Sequence, residues 1–509
     1  MRVVAELRAA GHEAYLAGGC VRDLLLGRVP EDYDVATSAT PEVVLGLFPR
    51  TFAVGAHFGV VLVATCGGAD CAGAPKADAE EAEYVLTEVA TFRSDGAYLD
   101  GRHPDAVKYT KSAEADVRRR DFTINGLLLD VEKLFPPGLK PPSSPSRDVR
   151  AEARTLPDEK LPSRAKAPID LVGVETGVEA PAYHPGPFPD SDLKAAVIDY
   201  VGGLKDLDAG VVRAIGRAEE RFEEDHLRML RGVRFAARFG FELEAGTAAA
   251  IRRLAAKTAT VSWERVRDEL TRMLTEGQAR RAFELLDETG LLKEVFPEMA
   301  RMKGVEQPPQ FHPEGDVWTH TLLLLGQLEA GCSMTLAWGA LLHDVGKPAT
   351  FRRGTDRIRF DGHVEVGVAM AVEICRRFRF SNDETGQIVA LVENHMRFMD
   401  ADRMKASTLK RFFRLEGFEE HLTLHRMDCL AASGNLEHWE FVRKRWLAMP
   451  EDEVRPRPLI TGRELIAAGY KPGAGFKEML RAVEDAQLEG TIGTADEAMR
   501  LVQERFPIL

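Results

Sequence analysis

The chain has 509 residues, 45% hydrophobic and 29% charged, which is the balance of a soluble globular protein with roughly three or four domains. A formal net charge of −13 argues against a protein that coats nucleic acid by bulk electrostatics, and no run of about 18 apolar residues is present to span a membrane. The six cysteines are scattered; only Cys66 and Cys71 are close, no second pair completes a zinc set, and a reduced compartment fits.

Met1 to Arg8 already has helical periodicity and carries Glu6, so it does not read as a secretory leader and a cytoplasmic protein is expected. The pattern predicts a helix over 3–11, a strand at Ala14–Ala17, a turn at Gly18-Gly19 and a helix over Val21–Leu26. Strand signals at Tyr33–Ala36, Val60–Ala64 and Tyr84–Phe92, with a helix at Pro41–Leu47, complete a small mixed α/β unit in which Gly67–Ala82 reads as a flexible hairpin tip. Residues 131–194 hold twelve of the 27 prolines, interleaved with charge. Such a segment cannot bury enough surface to offset its ordering entropy and reads as a largely disordered insertion. Strand character resumes at Ala196–Tyr200. From Glu219 the chain is helical almost to its end, including a continuous helix over Phe222–Phe239, a break at Pro308–Pro313 and a short linker at Arg455–Pro458.

The densest chemistry lies between Gly18 and Asp34. Gly18 and Gly19 let backbone approach an anion, and Asp32 and Asp34, one residue apart, would share a strand face about 7 Å from each other. Two carboxylates on one face repel unless a cation lies between them, and a hard divalent metal with a nucleotide phosphate is the usual solution. There follow Ala53-Val-Gly-Ala-His-Phe-Gly59, Glu88-Val-Ala-Thr-Phe-Arg93, Gly96-Ala-Tyr-Leu-Asp-Gly-Arg-His-Pro104 and Arg118-Arg-Arg-Asp-Phe-Thr-Ile-Asn125. As an ordered set these resemble the class II branch of the nucleotidyltransferase superfamily, the bacterial-type CCA-adding enzymes and poly(A) polymerases. The resemblance covers nearly the whole chain outside 131–194.

That resemblance implies roles residue by residue. Asp32 and Asp34 would hold two Mg2+ ions, with Glu88 as a third carboxylate from a neighbouring strand. Gly18, Gly19 and Arg22 look like the triphosphate cradle. Asp116, Arg119, Arg120, Asp121 and Asn125 resemble the motif that contacts the sugar and phosphates of the incoming nucleotide. The run from Glu224 to Arg234 resembles the protein template that reads the base. Asp225 and Arg228, three apart on a helix, present acceptor and donor edges, with Glu224 and Arg231 beside them. The sequence Val54-Gly-Ala-His-Phe-Gly-Val60 and the loop Arg93–Arg102 look like complete CCA-adding enzymes, whereas the poly(A) branch tends to carry a basic sequence after the first motif. The implied partners are tRNA, CTP and ATP.

A second constellation, His320, His343-Asp344, His363, His395 and Asp428, has the order of a dinuclear HD-domain phosphohydrolase. Neutral imidazoles with carboxylates suit a divalent transition metal such as Mn, Fe, Co or Ni, which would activate water against a phosphoester. The expected fold is α+β: a nucleotidyltransferase head over 1–130 and 195–218, a helical neck over 219–306, an HD domain over 312–434 and a tRNA-holding helical tail over 435–509. The leading function is CCA addition with an HD phosphohydrolase activity. A poly(A) polymerase or A-adding enzyme of the same fold is the alternative, and an HD signalling hydrolase or sensor is the alternative from another class.

Overall fold

The computed structural model describes residues 1–52, 59–66, 84–95, 107–134, 190–355 and 357–508. The chain divides into two compact units, Met1–Ser262 with Glu288–Val295, and Trp263–Asp287 with Phe296–Leu509. The helical stretch 219–306 is thus shared between the two.

The first unit is built on a sheet of seven strands: β1 (Ala14–Ala17), β2 (Asp34–Thr37), β3 (Thr51–Phe52), β4 (Val60–Cys66), β5 (Tyr84–Thr91), β8 (Leu127–Leu129) and β9 (Val197–Asp199), with the two-stranded ribbon β6 (Arg93–Asp95) and β7 (Val107–Tyr109) beside it. The order is β3-β4-β5-β2-β1-β8-β9, and within it only β2 and β5 run parallel. Alternation sorts the side chains. Val35, Val89 and Val61 are register partners in one buried row. Asp34, Glu88, Leu62 and Phe52 form the adjacent row, which points to the opposite face. On that second face the helix Ala113–Arg118 packs through Ala113 and Val117 against Ala17, Ala36 and Leu128. The sheet therefore carries the two carboxylates and the helix on the same side.

Three local predictions are corrected. Asp32 is outside the strand, because β1 leaves the ladder at Gly18, whose φ of 73° and hydrogen bond to Leu127 O turn the chain away from Tyr33 and Asp32. The helix expected at Val21 starts at Gly19. The helix expected over Phe222–Phe239 is two helices, Ala218–Glu224 and Leu227–Phe239. Asp225 is extended between them, with φ −148° and ψ 106°, and its Oδ1 accepts from Leu227 N at 3.0 Å. An aspartate that satisfies a free amide at a helix start competes with continuing the helix through it.

Of the proline-rich stretch, the ends are described as helices, Val131–Leu134 and Asp190–Ala196; residues 135–189 lie outside the described residues. So do Gly67–Ala82, expected as a hairpin tip, His57 with its neighbours, and Gly96–Pro104.

The second unit is helical apart from a short antiparallel ribbon of Arg352–Arg353 and Ile358–Arg359. Trp338 is fully buried in the helix Met334–Leu342, touches Phe296, Phe378 and Phe380, and donates its indole N–H to Thr271 Oγ1 at 2.9 Å. A further core gathers Phe398, Phe412, Phe413 and Phe418, and Leu465, Tyr470, Val483 and Val502 close the last helices. No helix among the described residues is long and apolar enough to cross a membrane.

Candidate functional site

Two clusters of chemistry lie in the two units. In the first, the parallel register sets Glu88 directly beside Asp34. Burial pushes the Asp34 carboxyl up; Arg120 opposes the shift and Asp32 adds to it. Glu88 is pushed up as well, by burial and then by the charges of Asp34 and Asp32. The three carboxylates predicted from sequence therefore share one field, and like charges held this close favour a cation between them.

The motif around Asp116 stands on the same face. Asp116 is 1% exposed and accepts from Arg119 Nε at 2.9 Å and Arg120 Nη2 at 3.1 Å, and Arg93 N donates to it at 3.3 Å. Burial alone would raise its pKa, but Arg120 and Arg119 hold it below the usual range. Asp121 accepts from Phe122 N, from Asn125 Nδ2 at 3.1 Å, and through Oδ2 from Arg231 Nε at 2.9 Å and Nη2 at 2.7 Å. Burial opposes its charge, yet Arg231 and Asn125 hold Asp121 at about 2.

Arg231 belongs to the helix that starts at Leu227, and its neighbour Arg228 one turn earlier donates to Arg119 O at 3.3 Å and to Arg221 O at 3.1 Å, and pairs with Glu224. The two sequence motifs, about a hundred residues apart, are one hydrogen-bonded assembly. Glu224 and Arg228 are brought together; Asp225 and Arg228 are not side by side on a helical face, since Asp225 turns to cap Leu227.

Arg22 is only 4% exposed. Its guanidinium donates to Asn125 Oδ1 at 2.6 Å and to Asp23 Oδ1 at 2.9 and 2.8 Å, and stacks on Phe239 at 4.5 Å. It joins the glycine turn to the 121–125 motif instead of projecting as an open fork. Gly18 suits its place twice: its φ is left-handed, and a Cβ there would lie 2.9 Å from Arg120 Nη1.

In the second unit, His320 lies on the helix Val317–Leu325, His343 caps Met334–Leu342, His363 starts His363–Arg377, His395 follows Asn382–Asn394, and Asp428 lies on Phe418–Ala431. All six predicted residues converge. His320, His343 and Asp428 form one cluster, and Asp344, His363 and His395 another, each with donor atoms within 4.8 Å of one another. Asp344 bridges them: Oδ2 lies 3.2 Å from His343 Nε2 and 3.9 Å from His320 Nε2, and Oδ1 lies 3.8 Å from both His363 Nε2 and His395 Nε2. Gly346 permits the approach, because a Cβ there would stand 2.1 Å from His363 O.

The donor set fits a pair of metal ions. The Nδ1 of His343, His363 and His395 faces the carbonyls of Ala340, Phe360 and Val392 at 2.8, 3.0 and 2.7 Å, which fixes the tautomer with the proton on Nδ1. The Nε2 atoms of these three are buried without a hydrogen bond. A buried, unprotonated nitrogen without a partner is costly unless it binds something. His320 Nε2 lies 3.0 Å from Asp428 Oδ1. Burial drives His395 down to about 4, so it stays neutral at physiological pH, while His320, flanked by Asp428 and Glu314, is held up at about 9 against its burial.

Sequence reading missed residues that border this centre. Lys347 Nζ lies 2.7 Å from Asp344 Oδ2 and donates to Gln307 Oε1 at 2.7 Å. Glu314 and His312 meet His320. The stretch Phe311–Pro313 reads as a helix breaker, but a histidine and a glutamate two residues apart, just ahead of the helix of His320, are a signal in their own right.

Family models match three stretches: the poly(A) polymerase head domain over residues 14–135, the probable RNA and SrmB-binding site of polymerase A over 240–303, and the HD domain over 317–432. A CCA-adding enzyme of Geobacillus kaustophilus (strain HTA426) is 32% identical over 486 residues, which are 94% of this chain and 90% of the relative. An A-adding tRNA nucleotidyltransferase of Deinococcus radiodurans is 34% identical over 327 residues, 60% of this chain and 74% of the relative. The crystal structure of a Bacillus stearothermophilus CCA-adding enzyme in complex with CTP superposes with a TM-score of 0.64 at 24% identity, covering 99% of this chain and 96% of that one, and shares the fold. Taken with the head, RNA-binding and HD models in that order, a relative matched over nine-tenths of its length places this chain in the family of class II CCA-adding enzymes and poly(A) polymerases that carry an HD domain.

Proposed function

We propose that the chain is a CCA-adding tRNA nucleotidyltransferase that transfers CMP and AMP from CTP and ATP to the 3′ end of tRNA, with a metal-dependent phosphohydrolase in its HD domain. The observation that carries the first activity is the register pair Asp34 and Glu88, with Asp32 in the same field, on the face that also bears the Asp116–Asn125 motif. Asp32, Asp34 and Glu88 would hold Mg2+, a hard cation that oxygen donors suit. The chemistry such a pair supplies when bound is activation of the attacking 3′ hydroxyl and neutralisation of the leaving pyrophosphate. The hydroxyl oxygen forms a bond to the α-phosphorus as the bond to pyrophosphate breaks. Arg119 and Arg120, which pair with Asp116, would orient the nucleotide, and Glu224, Asp225, Arg228 and Arg231 would read its base; the Glu224–Arg228 and Arg231–Asp121 pairs support this reading.

The domain scheme follows this division of labour: a head over 1–130 and 195–218, a neck over 219–306, an HD domain over 312–434 and a tRNA-holding tail over 435–509, with 131–194 as an insertion. At the HD centre, His320, His343, Asp344, His363, His395 and Asp428 suit Mn, Fe, Co or Ni. A-only addition is the second reading, favoured by the A-adding relative of Deinococcus radiodurans. Labelled CMP and AMP incorporation into tRNA by the wild-type protein and by Asp34→Asn tests the proposal: the variant should lose both while HD phosphatase activity on a phosphomonoester persists. Incorporation by Asp34→Asn at the wild-type rate would overturn the assignment of the head.

A further inference from the structure

His343, His363 and His395 are oriented by main-chain carbonyls, but His320 is oriented by a charged side chain: its Nδ1 lies 2.7 Å from Glu314 Oε1. The same oxygen lies 2.9 Å from Nδ1 of His312, and the two imidazole rings meet edge to face with centroids 5.0 Å apart. The Glu314 side chain is 6% exposed, and its Oε2 is buried without a hydrogen bond. A buried carboxylate that spends one oxygen on two imidazoles is committed to them. Local backbone holds it there: Gly315, with φ 125°, turns the chain, and Asp316 caps the helix of His320 by accepting from Thr319 N at 2.8 Å while also accepting from Gly304 N at 2.6 Å.

We propose that Glu314 is a positioning residue of the HD metal centre, fixing His320 with its proton on Nδ1 so that Nε2 faces Asp428 and Asp344, and that His312 steadies Glu314 by donating to the same oxygen. The inference rests on reading the HD unit as a metal site. A carbonyl orients a ring, but a carboxylate also makes it a stronger donor. His320 is therefore the strongest imidazole donor of the set, and the metal position it shares with His343 and Asp428 is the tighter of the two, ahead of the position at Asp344, His363 and His395. Glu314 touches no substrate; it acts through His320.

Free Mn2+ measured by electron paramagnetic resonance during titration of the metal-free, full-length protein tests this, with His343→Ala defining the component that belongs to the HD centre. The expected wild-type result is two classes of site. Glu314→Ala should weaken the tighter class by about 10–100-fold, the usual scale for a partner that orients a metal-binding histidine. Glu314→Gln, which keeps a carbonyl acceptor without its charge, should lose less, and His312→Ala less again. If Glu314→Ala does not fold, judged by circular dichroism and melting, Glu314→Gln carries the test. Wild-type affinity in the folded Glu314 variants would overturn the inference and leave the metal-site reading intact. No His343-dependent Mn2+ in the wild type would overturn both, and unchanged affinity in His312→Ala would overturn the part given to His312.

Discussion

Asp34 on β2 and Glu88 on β5 are paired across the one parallel ladder of the main sheet, so two carboxylates 54 positions apart in sequence point from one row of one face. Burial raises both carboxyls; the charge of Asp32 adds to the rise of Asp34, and the charges of Asp34 and Asp32 add to that of Glu88. If they hold Mg2+, Glu88→Gln should lower CMP and AMP incorporation by about 100-fold, the scale for removing one electrostatic contact to a transition state. Steady-state incorporation at saturating Mg2+ checks it.

The same pair makes a stability prediction. A carboxyl raised in the folded state binds its proton more tightly than in the unfolded chain, so its contribution is favourable at low pH and is lost as pH rises through the folded pKa. In metal-free protein Asp34→Asn should therefore melt higher than wild type at pH 7, and the difference should vanish toward pH 3. Thermal melts in chelator at the two pH values decide it. Added Mg2+ should narrow the gap at pH 7 by stabilising only the wild type.

How legible this was in sequence varied by residue. The Asp32-x-Asp34 pair was visible at once, but the assumption that both lie on the strand failed, because the left-handed turn at Gly18 withdraws the partner of Asp32. Glu88 was found as a candidate, yet its register with Asp34 is a long-range property that no local pattern encodes. The helical spacing of apolar residues through 222–239 agrees with helix on both sides of Asp225 and is blind to the break, since one side-chain cap at Asp225 outweighs a continuous pattern. In the HD unit the six clustered residues are legible because their types are rare together. Glu314, His312 and Lys347 are not, because their roles come from what they touch.

Asp121 ties the 116–125 motif to the helix of Arg231 and is held at about 2. Its contribution is present above the unfolded carboxylate range and is lost as pH falls through about 2. Asp121→Ala should destabilise the first unit by about 2 kcal/mol, the worth of a hydrogen bond between charged groups. It should also raise KM for nucleotide through the loosened arginine. Urea unfolding and incorporation kinetics measure the two effects.

Acid should unfold the second unit first through histidines. His395, His421 and His425 are each pushed down to about 4 by burial, so the unfolded chain takes up protons from about pH 6.5 downward while the folded one resists until about pH 4. Stability is complete above that window and lost as pH falls through it. His421, 1% exposed, is the cleanest probe, because it lies outside the two histidine–aspartate clusters. His421→Leu should move the acid midpoint to lower pH, read by circular dichroism.

The two activities should separate by mutation. His343→Ala removes a donor from the HD centre and should abolish phosphomonoester hydrolysis while nucleotide incorporation continues at close to the wild-type rate. Joint loss in a folded variant would mean that the two chemistries share a site.

A tRNA transcript that ends before the CCA sequence, incubated with CTP alone, ATP alone and both and then sequenced at its 3′ end, separates CCA addition from its alternatives. A CCA-adding enzyme extends it by C, C and A and no further when both nucleotides are present, and adds no adenosine from ATP alone. A lengthening adenosine tail, or addition only to transcripts that already end in CC, would contradict the proposed CCA addition.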